Sequence, residues 1–289
     1  MLGAAGIAIG AVLPAIAASK NGRVVAIASR DPGRAKTVAN AYPGAKAIHS
    51  YEALLAEPAV DAVYIPLVNN LHKDWTLRAV AAGKHVLCEK PLAMNAQEAE
   101  EMAVAAKSAG MHLMEAFMYR FHPRTHRFVE ALTNPMYAQA SFGFTVKDKS
   151  DFRLQAELGG GALLDVGCYG VSVARWILGE PSNVLARSRM AGGVDMTTSA
   201  LLQFPGGQTA SVWASFESPE EQSLTVVARD DVHRLNRPFS SREEVDEYQV
   251  MVESFAGSIL LNQPVAIPPS ESIANMKVLD RIKEAAAKS

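Results

Sequence analysis

The feature that most constrains this chain is a rhythm running from its start to Phe117, in which short unbroken apolar runs alternate with stretches of helical composition. Val24–Ala28 (VVAIA), Ala62–Leu67 (AVYIPL), His85–Cys88 and His112–Phe117 are short, β-branched in character and without in-out alternation. Such runs fit strands of a parallel sheet buried on both faces. Between them the composition predicts helices over Pro32–Tyr42, Tyr51–Leu55, His72–Ala82 and Asn95–Ala109, the last two closed by Gly83 and Gly110. Strands and helices alternating through short loops predict a doubly wound parallel sheet whose ligand lies at the carboxyl ends of its strands.

Beyond Tyr119 the rhythm changes. Tyr137–Val146, Asn183–Ala191, Thr197–Phe204 and Gln208–Phe216 alternate apolar and polar residues, and Pro205-Gly206-Gly207 reads as the turn between the last two. This pattern predicts an antiparallel sheet with one buried face. A helix over Leu163–Leu178 follows the glycines Gly159, Gly160 and Gly161, and a closing helix runs from about Glu271 to the C-terminus. At 289 residues the chain suits two domains of ordinary size. The expected fold class is therefore α/β: a doubly wound parallel sheet over 1–118, then an α+β domain over 119–289 with a large, mostly antiparallel open sheet. The closing helix has the option of packing back on the first domain.

Composition excludes several classes. With 49% apolar and 20% charged residues and a net charge of -2, nothing advertises nucleic acid or an anionic membrane. The two cysteines, Cys88 and Cys168, are too few for a disulfide framework and point to a reducing cytoplasm. No third or fourth ligand stands with them, so no metal site is expected and both read as small buried thiols. Met1–Ala18 is uncharged, but the first cation is Lys20, and Pro14 with three glycines suits a loop and helix better than a signal peptide. The segment is also too short and broken for a membrane helix, which needs roughly 20 apolar residues.

The first chemical motif is Gly3-Ala4-Ala5-Gly6-Ile7-Ala8, opening a helix expected to reach about Ala18. Small residues here let the backbone approach a pyrophosphate lying against the free N–H groups and positive end of the helix. The strict Rossmann fingerprint is broken, because Ala5 and Ala8 stand where its second and third glycines belong. After the next strand, where an acid would bind the ribose hydroxyls of NAD, the chain has Ser29-Arg30-Asp31. A hydroxyl and an always-charged guanidinium fork suit a 2′-phosphate, which favours NADP over NAD. Asp31 either serves the ribose from two positions on or caps the following helix, with Pro32 at its first position.

The second motif is Cys88-Glu89-Lys90-Pro91, directly after a buried strand. The segment Gly83–Ala93 (GKHVLCEKPLA) resembles the hallmark of the glucose-fructose oxidoreductase / inositol dehydrogenase (Gfo/Idh/MocA) family. Glu115–Pro123 (EAFMYRFHP) and Gly159–Gly170 (GGGALLDVGCYG) resemble the branch holding dimeric dihydrodiol dehydrogenases and NADP-dependent D-xylose 1-dehydrogenases. The three motifs span nearly the whole chain in the family's order.

The resemblance implies a Rossmann domain followed by a substrate-binding and oligomerising domain. It implies a catalytic set of Lys90, Tyr169 and Asp165, with the family's Glu-Lys-Pro lysine falling on Lys90 beside the nicotinamide. Tyr169 stands where inositol dehydrogenases carry histidine, four residues after Asp165, and is the acid/base group in the branch resembled here. Asp165 alternatively serves as a helix-start acid. Implied cofactor contacts are Gly3, Ala5, Gly6, Ile7, Ala8, Ser29, Arg30, Pro66, Leu67, Asn69, His72, Glu89, Lys90 and Arg120, with Glu115 and His122 in the same stretch as Arg120. The implied reaction moves a hydride between the CH–OH of an aldose such as D-xylose, or of a cyclic trans-diol, and the nicotinamide. The implied assembly is a homodimer or homotetramer through the C-terminal sheet. Relatives begin with several residues of a first strand, whereas this sequence starts at Met1-Leu2, so that strand is expected to be nearly absent. That expectation keeps open a catalytically weak or silent NADP-binding module.

Overall fold

The structure, a computed structural model, describes residues 1–240 and 245–288. These gather into two compact units. The first holds residues 1–93 and 97–121 with a later segment ending at Ser272; the second holds 94–96, the chain from His122 through its strands, and residues from Ile273 onward.

In the first unit β1 (Ala26–Ala28) pairs with β2 (Lys46–Ile48), and β4 (His85–Cys88) lies between β3 (Ala62–Ile65) and β5 (Leu113–Glu115), all parallel. Met1–Gly3 join the two ribbons. Leu2 bridges Ala28 in parallel and its N–H donates to the Tyr64 carbonyl at 3.0 Å, while the Gly3 N–H donates to the Ala28 carbonyl at 2.8 Å. The central strand is thus a three-residue passage between β1 and β3. The apolar runs form strands because both faces are covered: Ile27, Ile65, Val86 and Cys88 are fully enclosed.

Helix α1 (Leu13–Ala18) is preceded by a π-helical turn over Ala8–Val12. Pro14 accounts for the wide turn, since it has no N–H to donate and its ring crowds the carbonyl one turn back. Helix α2 (Pro32–Ala39) is capped by Asp31, whose side chain accepts from the Arg34 N–H at 3.1 Å. Ser50 caps α3 (Tyr51–Leu55) in the same way. Helices α4 (His72–Ala81) and α5 (Ala96–Ser108) follow β3 and β4. A further helix of this unit, α8 (Glu247–Leu260), buries Tyr248, Met251, Val252 and Phe255 and packs on α1.

The second unit is a six-stranded sheet in the order β11-β10-β6-β9-β8-β7. Its strands are β6 (Pro135–Gly143), β7 (Asn183–Ala191), β8 (Val194–Gln203), β9 (Thr209–Ser215), β10 (Glu221–Ala228) and β11 (Val232–Asn236). Pairing is antiparallel except between β6 and β9. Helix α7 (Cys168–Leu178) covers one face of β6 and β9. A Cβ on Gly170 would lie 2.8 Å from Val212, so only glycine admits so close a helix. The stretch Ala156–Leu178 has the length and apolarity of a membrane span but is mostly buried, as a core helix of this unit. Helices α6 (Pro123–Glu130) and α9 (Pro269–Ala287) complete the elements.

Several expectations change. The first five residues of the helix expected over Leu163–Leu178 form a π-helical turn, Leu163–Gly167. β1 and β3 are shorter than their apolar runs, and β2, β10, β11, α6 and α8 were not anticipated. Ser289, the last residue of the expected closing helix, lies outside the described residues.

Candidate active site

In the first unit the candidate cofactor residues cluster at the carboxyl ends of the parallel strands. Gly3 has φ +105°, and a Cβ on it would stand 2.7 Å from Leu67 Cδ2, so the backbone passes where no side chain fits. After it Ala5 is half-buried and Gly6 and Ile7 are exposed, while Ala8 turns inward and is fully buried. No side chain caps the turn that begins there. Ser29 is buried, its Oγ accepting from the Asp31 N–H at 3.2 Å, and Arg30 is exposed beside it. Asp31 caps α2 through Oδ1, as one of its two readings has it. The sequence reading missed Tyr51. Its phenol oxygen lies 3.6 Å from the place of a Gly3 Cβ and receives a hydrogen bond from the Arg30 backbone; burial raises its pKa and Arg30 lowers it.

The next two loops are tied together from below. Pro66 and Asn69 are buried and Leu67 is half-buried. His72 is fully buried, with Nδ1 2.9 Å from the Pro91 carbonyl oxygen and Nε2 2.9 Å from the Leu67 carbonyl oxygen. Glu89 accepts from the Tyr64 hydroxyl at 2.6 Å and from the Lys90 N–H at 3.2 Å. The Tyr64 phenol is pushed up by burial and by Glu89. Glu115 accepts from the Leu92 N–H at 2.8 Å, and burial raises its carboxyl to about 7. Lys90 precedes a cis peptide bond to Pro91. Arg120 lies half-buried in the 3-10 turn Met118–Phe121, its N–H bonded to the Phe117 carbonyl. A separate cavity of about 770 Å³ opens at the opposite ends of the strands, beside Met1, Val24, Asp61 and His85, and holds none of the candidate site residues.

In the second unit Asp165 lies in the π-helical turn and Tyr169 one residue into α7. The four-residue step from Asp165 to Tyr169 thus crosses from the π-helical turn into the α-helix. Asp165 accepts from Arg153 Nε at 2.7 Å, a partner the sequence reading missed. Arg153 is also held by Asp151 and lies over the Phe152 ring at 4.8 Å. Tyr169 is 4% exposed, with ring centroids 5.6 Å from Phe142 and 5.3 Å from Phe239, which stack on each other. The glycines before the helix are sterically required. A Cβ on Gly160 would meet the Arg153 carbonyl at 2.5 Å, and one on Gly161, whose φ is +115°, would collide with Asp195 Oδ1. Asp195 Oδ2 accepts from the Leu163 N–H at 2.8 Å. His122 also belongs to this unit and caps α6, its Nδ1 accepting from the Arg124 N–H at 3.1 Å. Cys88 and Cys168 are buried, and neither is in a disulfide.

Both halves match family models. Residues 1–117 match an oxidoreductase family with an NAD-binding Rossmann fold, and residues 130–231 match the GFO/IDH/MocA C-terminal domain. The chain is 39% identical over 313 residues to D-xylose 1-dehydrogenase (NADP(+)) 2 of Haloferax volcanii, covering 99% of this chain and 96% of that one. It is 39% identical over 199 residues to trans-1,2-dihydrobenzene-1,2-diol dehydrogenase of Xenopus laevis, covering 65% of this chain and 59% of that one. A crystal structure of a 3-ketoreductase from Actinomadura kijaniata, in complex with NADP and TDP-benzene, superposes with a TM-score of 0.87 at 29% identity, covering 98% of this chain and 96% of that one. With the parallel-sheet half, the open-sheet half and the motifs of each matched in order, the chain belongs to the Gfo/Idh/MocA family of oxidoreductases.

Proposed function

We propose that this chain is an NADP-dependent dehydrogenase acting on the CH–OH of an aldose such as D-xylose, with a cyclic trans-diol as the second substrate class. The observation that carries the cofactor choice is Asp31. With Oδ1 capping α2, it stands beside Ser29 and Arg30, a hydroxyl and a guanidinium after β1 that suit a 2′-phosphate. The substrate class rests on likeness to the Haloferax enzyme over almost the whole chain.

The fit to the cofactor has a steric basis: a Cβ at Gly3 would stand 2.7 Å from Leu67, and Gly6 and Ile7 after it are exposed, with no side chain capping the turn. Gly3, Ala5, Gly6, Ile7 and Ala8 would hold its diphosphate, Ser29 and Arg30 its 2′-phosphate, and Pro66, Leu67, Asn69, Glu89, Lys90 and Arg120 its nicotinamide end. When bound, it supplies the hydride chemistry. Tyr169 would accept the proton of the reacting hydroxyl, and Lys90 would position and polarise that hydroxyl. Asp165 fixes Arg153 beside the substrate unit's aromatic wall. The division of labour in this reading is 1–118 for the cofactor and 119–289 for substrate and assembly, less the segment ending at Ser272 that belongs to the first unit.

A homodimer or homotetramer through the uncovered face of the six-stranded sheet is part of this reading. Tyr137, Trp213, Leu201 and Leu185 stand there among Ser199, Ser211 and Thr209, and Leu185 is 55% exposed. The two buried thiols, neither in a disulfide, support a cytoplasmic setting.

The experiment is reduction of NADP+ followed by absorbance with D-xylose, D-glucose and a cyclic trans-diol, using NAD+ and Lys90→Ala as controls. Turnover with NADP+ that is lost in Lys90→Ala is the expected result. A folded, NADP-binding chain that turns over none of them would overturn the enzyme reading in favour of a binding module.

A further inference from the structure

His72 carries a constraint that a cofactor contact does not explain. A carbonyl oxygen only accepts, and a neutral imidazole has one N–H to give. Yet both ring nitrogens lie 2.9 Å from carbonyl oxygens, those of Pro91 and Leu67. A neutral ring would satisfy one and turn a lone pair toward the other at hydrogen-bonding distance. Only an imidazolium donates to both. The two carbonyls belong to different loops: Leu67 follows β3 and abuts Gly3, while Pro91 follows Lys90 at the end of β4.

We propose that His72 is a positioning residue that, as an imidazolium, clips the loop after β3 to the Lys90–Pro91 loop and so sets where Lys90 stands relative to the Gly3 passage. Its effect on turnover rests on the dehydrogenase reading; the clip itself is a property of the first unit alone. Burial, the largest cause, and the Lys90 ammonium oppose the proton, and hydrogen bonds to the backbone at Pro91, Leu67 and Leu92 favour it; the net direction is downward from the ordinary imidazole value, so the clip is made on the acid side of that range. On the far side of the loop Glu89 holds the Lys90 amide and Glu115 the Leu92 amide, and Asp74 lies on the first turn of α4 itself. Losing the proton releases one of the two carbonyls while the carboxylate holds remain, so the loop loosens without unfolding.

The test is nitrogen-15 NMR of histidine-labelled protein across pH, with the His72 signals assigned by their absence in His72→Gln. Two protonated ring nitrogens are expected on the acid side of the ordinary imidazole range while the protein is still folded; a ring that stays a neutral tautomer throughout that range overturns the proposal whatever the enzyme does. In turnover, wild-type kcat should fall above the pH at which the ring loses its proton. His72→Gln, which cannot titrate, should lack that fall and run about 10- to 100-fold slower with the substrate KM within about 2-fold, as expected of a misplaced catalytic group. Unchanged kcat in a folded His72→Gln would also sink the idea. If His72→Gln does not fold, wild-type spectra assigned through His72→Asn decide it. If no substrate turns over, those spectra still do.

Discussion

Gly3–Ala8 and Gly159–Leu163 are built on one plan. Each leads into a helix through a glycine of positive φ, +105° at Gly3 and +115° at Gly161, whose missing side chain makes room for another residue. Each continues into a π-helical turn, Ala8–Val12 in one and Leu163–Gly167 in the other. They differ in how the helix end is finished. In both the glycine N–H is spent on a backbone carbonyl, Gly3 on Ala28 at 2.8 Å and Gly161 on Arg153 at 2.9 Å. At the second opening, however, the protein also supplies a side-chain acceptor, Asp195, which takes the Leu163 N–H at 2.8 Å, with Ala162 through Val166 buried. At the first, no side chain caps the turn, and Gly6 and Ile7 face outward. A helix N-terminus offers its N–H groups and partial positive charge to an anion only where the chain has not already spent them. The glycines alone do not tell a cofactor cradle from a structural corner; the partner of the first free N–H does.

The comparison breaks first at its glycines. Gly161→Ala combines a strained backbone with a collision at Asp195, and each effect costs roughly 1–3 kcal/mol, so a loss of about 4 kcal/mol is expected in urea unfolding. The folded fraction should bind NADP+ as before. Gly3→Ala meets the flexible end of Leu67 instead, so it should unfold less readily than Gly161→Ala but weaken NADP+ about 100-fold, or about 2.7 kcal/mol, in a fluorescence titration. Normal NADP+ affinity in Gly3→Ala would remove the functional half of the contrast.

The openings also show what a sequence makes legible. The parallel half was readable because Val63, Ile65, Val86 and Leu87 are local apolar runs with both faces buried. β7 was readable from its alternation and matches its expected bounds. Strand β2 left no signal, being three residues of which two are exposed. β10 and α8 did leave one: Leu224, Val226 and Ala228 alternate inward, and Tyr248, Met251, Val252 and Phe255 keep helical spacing, so these were overlooked rather than hidden. At the site, Lys90 and Tyr169 stand out through long motifs, whereas the partners that hold the site are set by tertiary folding. Asp195 reaches Leu163 from a hairpin 32 residues away, and Arg153 reaches Asp165 from a 3-10 turn 12 residues earlier. His72 was visible as a residue and not as a clip, because its two acceptors are backbone carbonyls and any sequence supplies those.

The smallest effect is the most telling about why the second opening is closed. Burial raises the pKa of Asp195, while hydrogen bonds from Thr198 and from the Leu163 N–H lower it. The net direction is upward, so the folded chain holds this proton more tightly than the unfolded chain does. The stability this gives is complete below the ordinary carboxylate range and is lost as pH rises through the folded-state value. Asp195→Asn keeps an acceptor and cannot titrate. It should therefore match the wild type within about 1 kcal/mol at neutral pH, in urea unfolding, and should lack the wild-type gain on acidification. A loss of several kcal/mol at neutral pH would mean that the helix end requires a negative charge and not merely an acceptor. The two openings would then be one electrostatic device, with Asp195 holding in the second unit the place that a phosphate takes in the first.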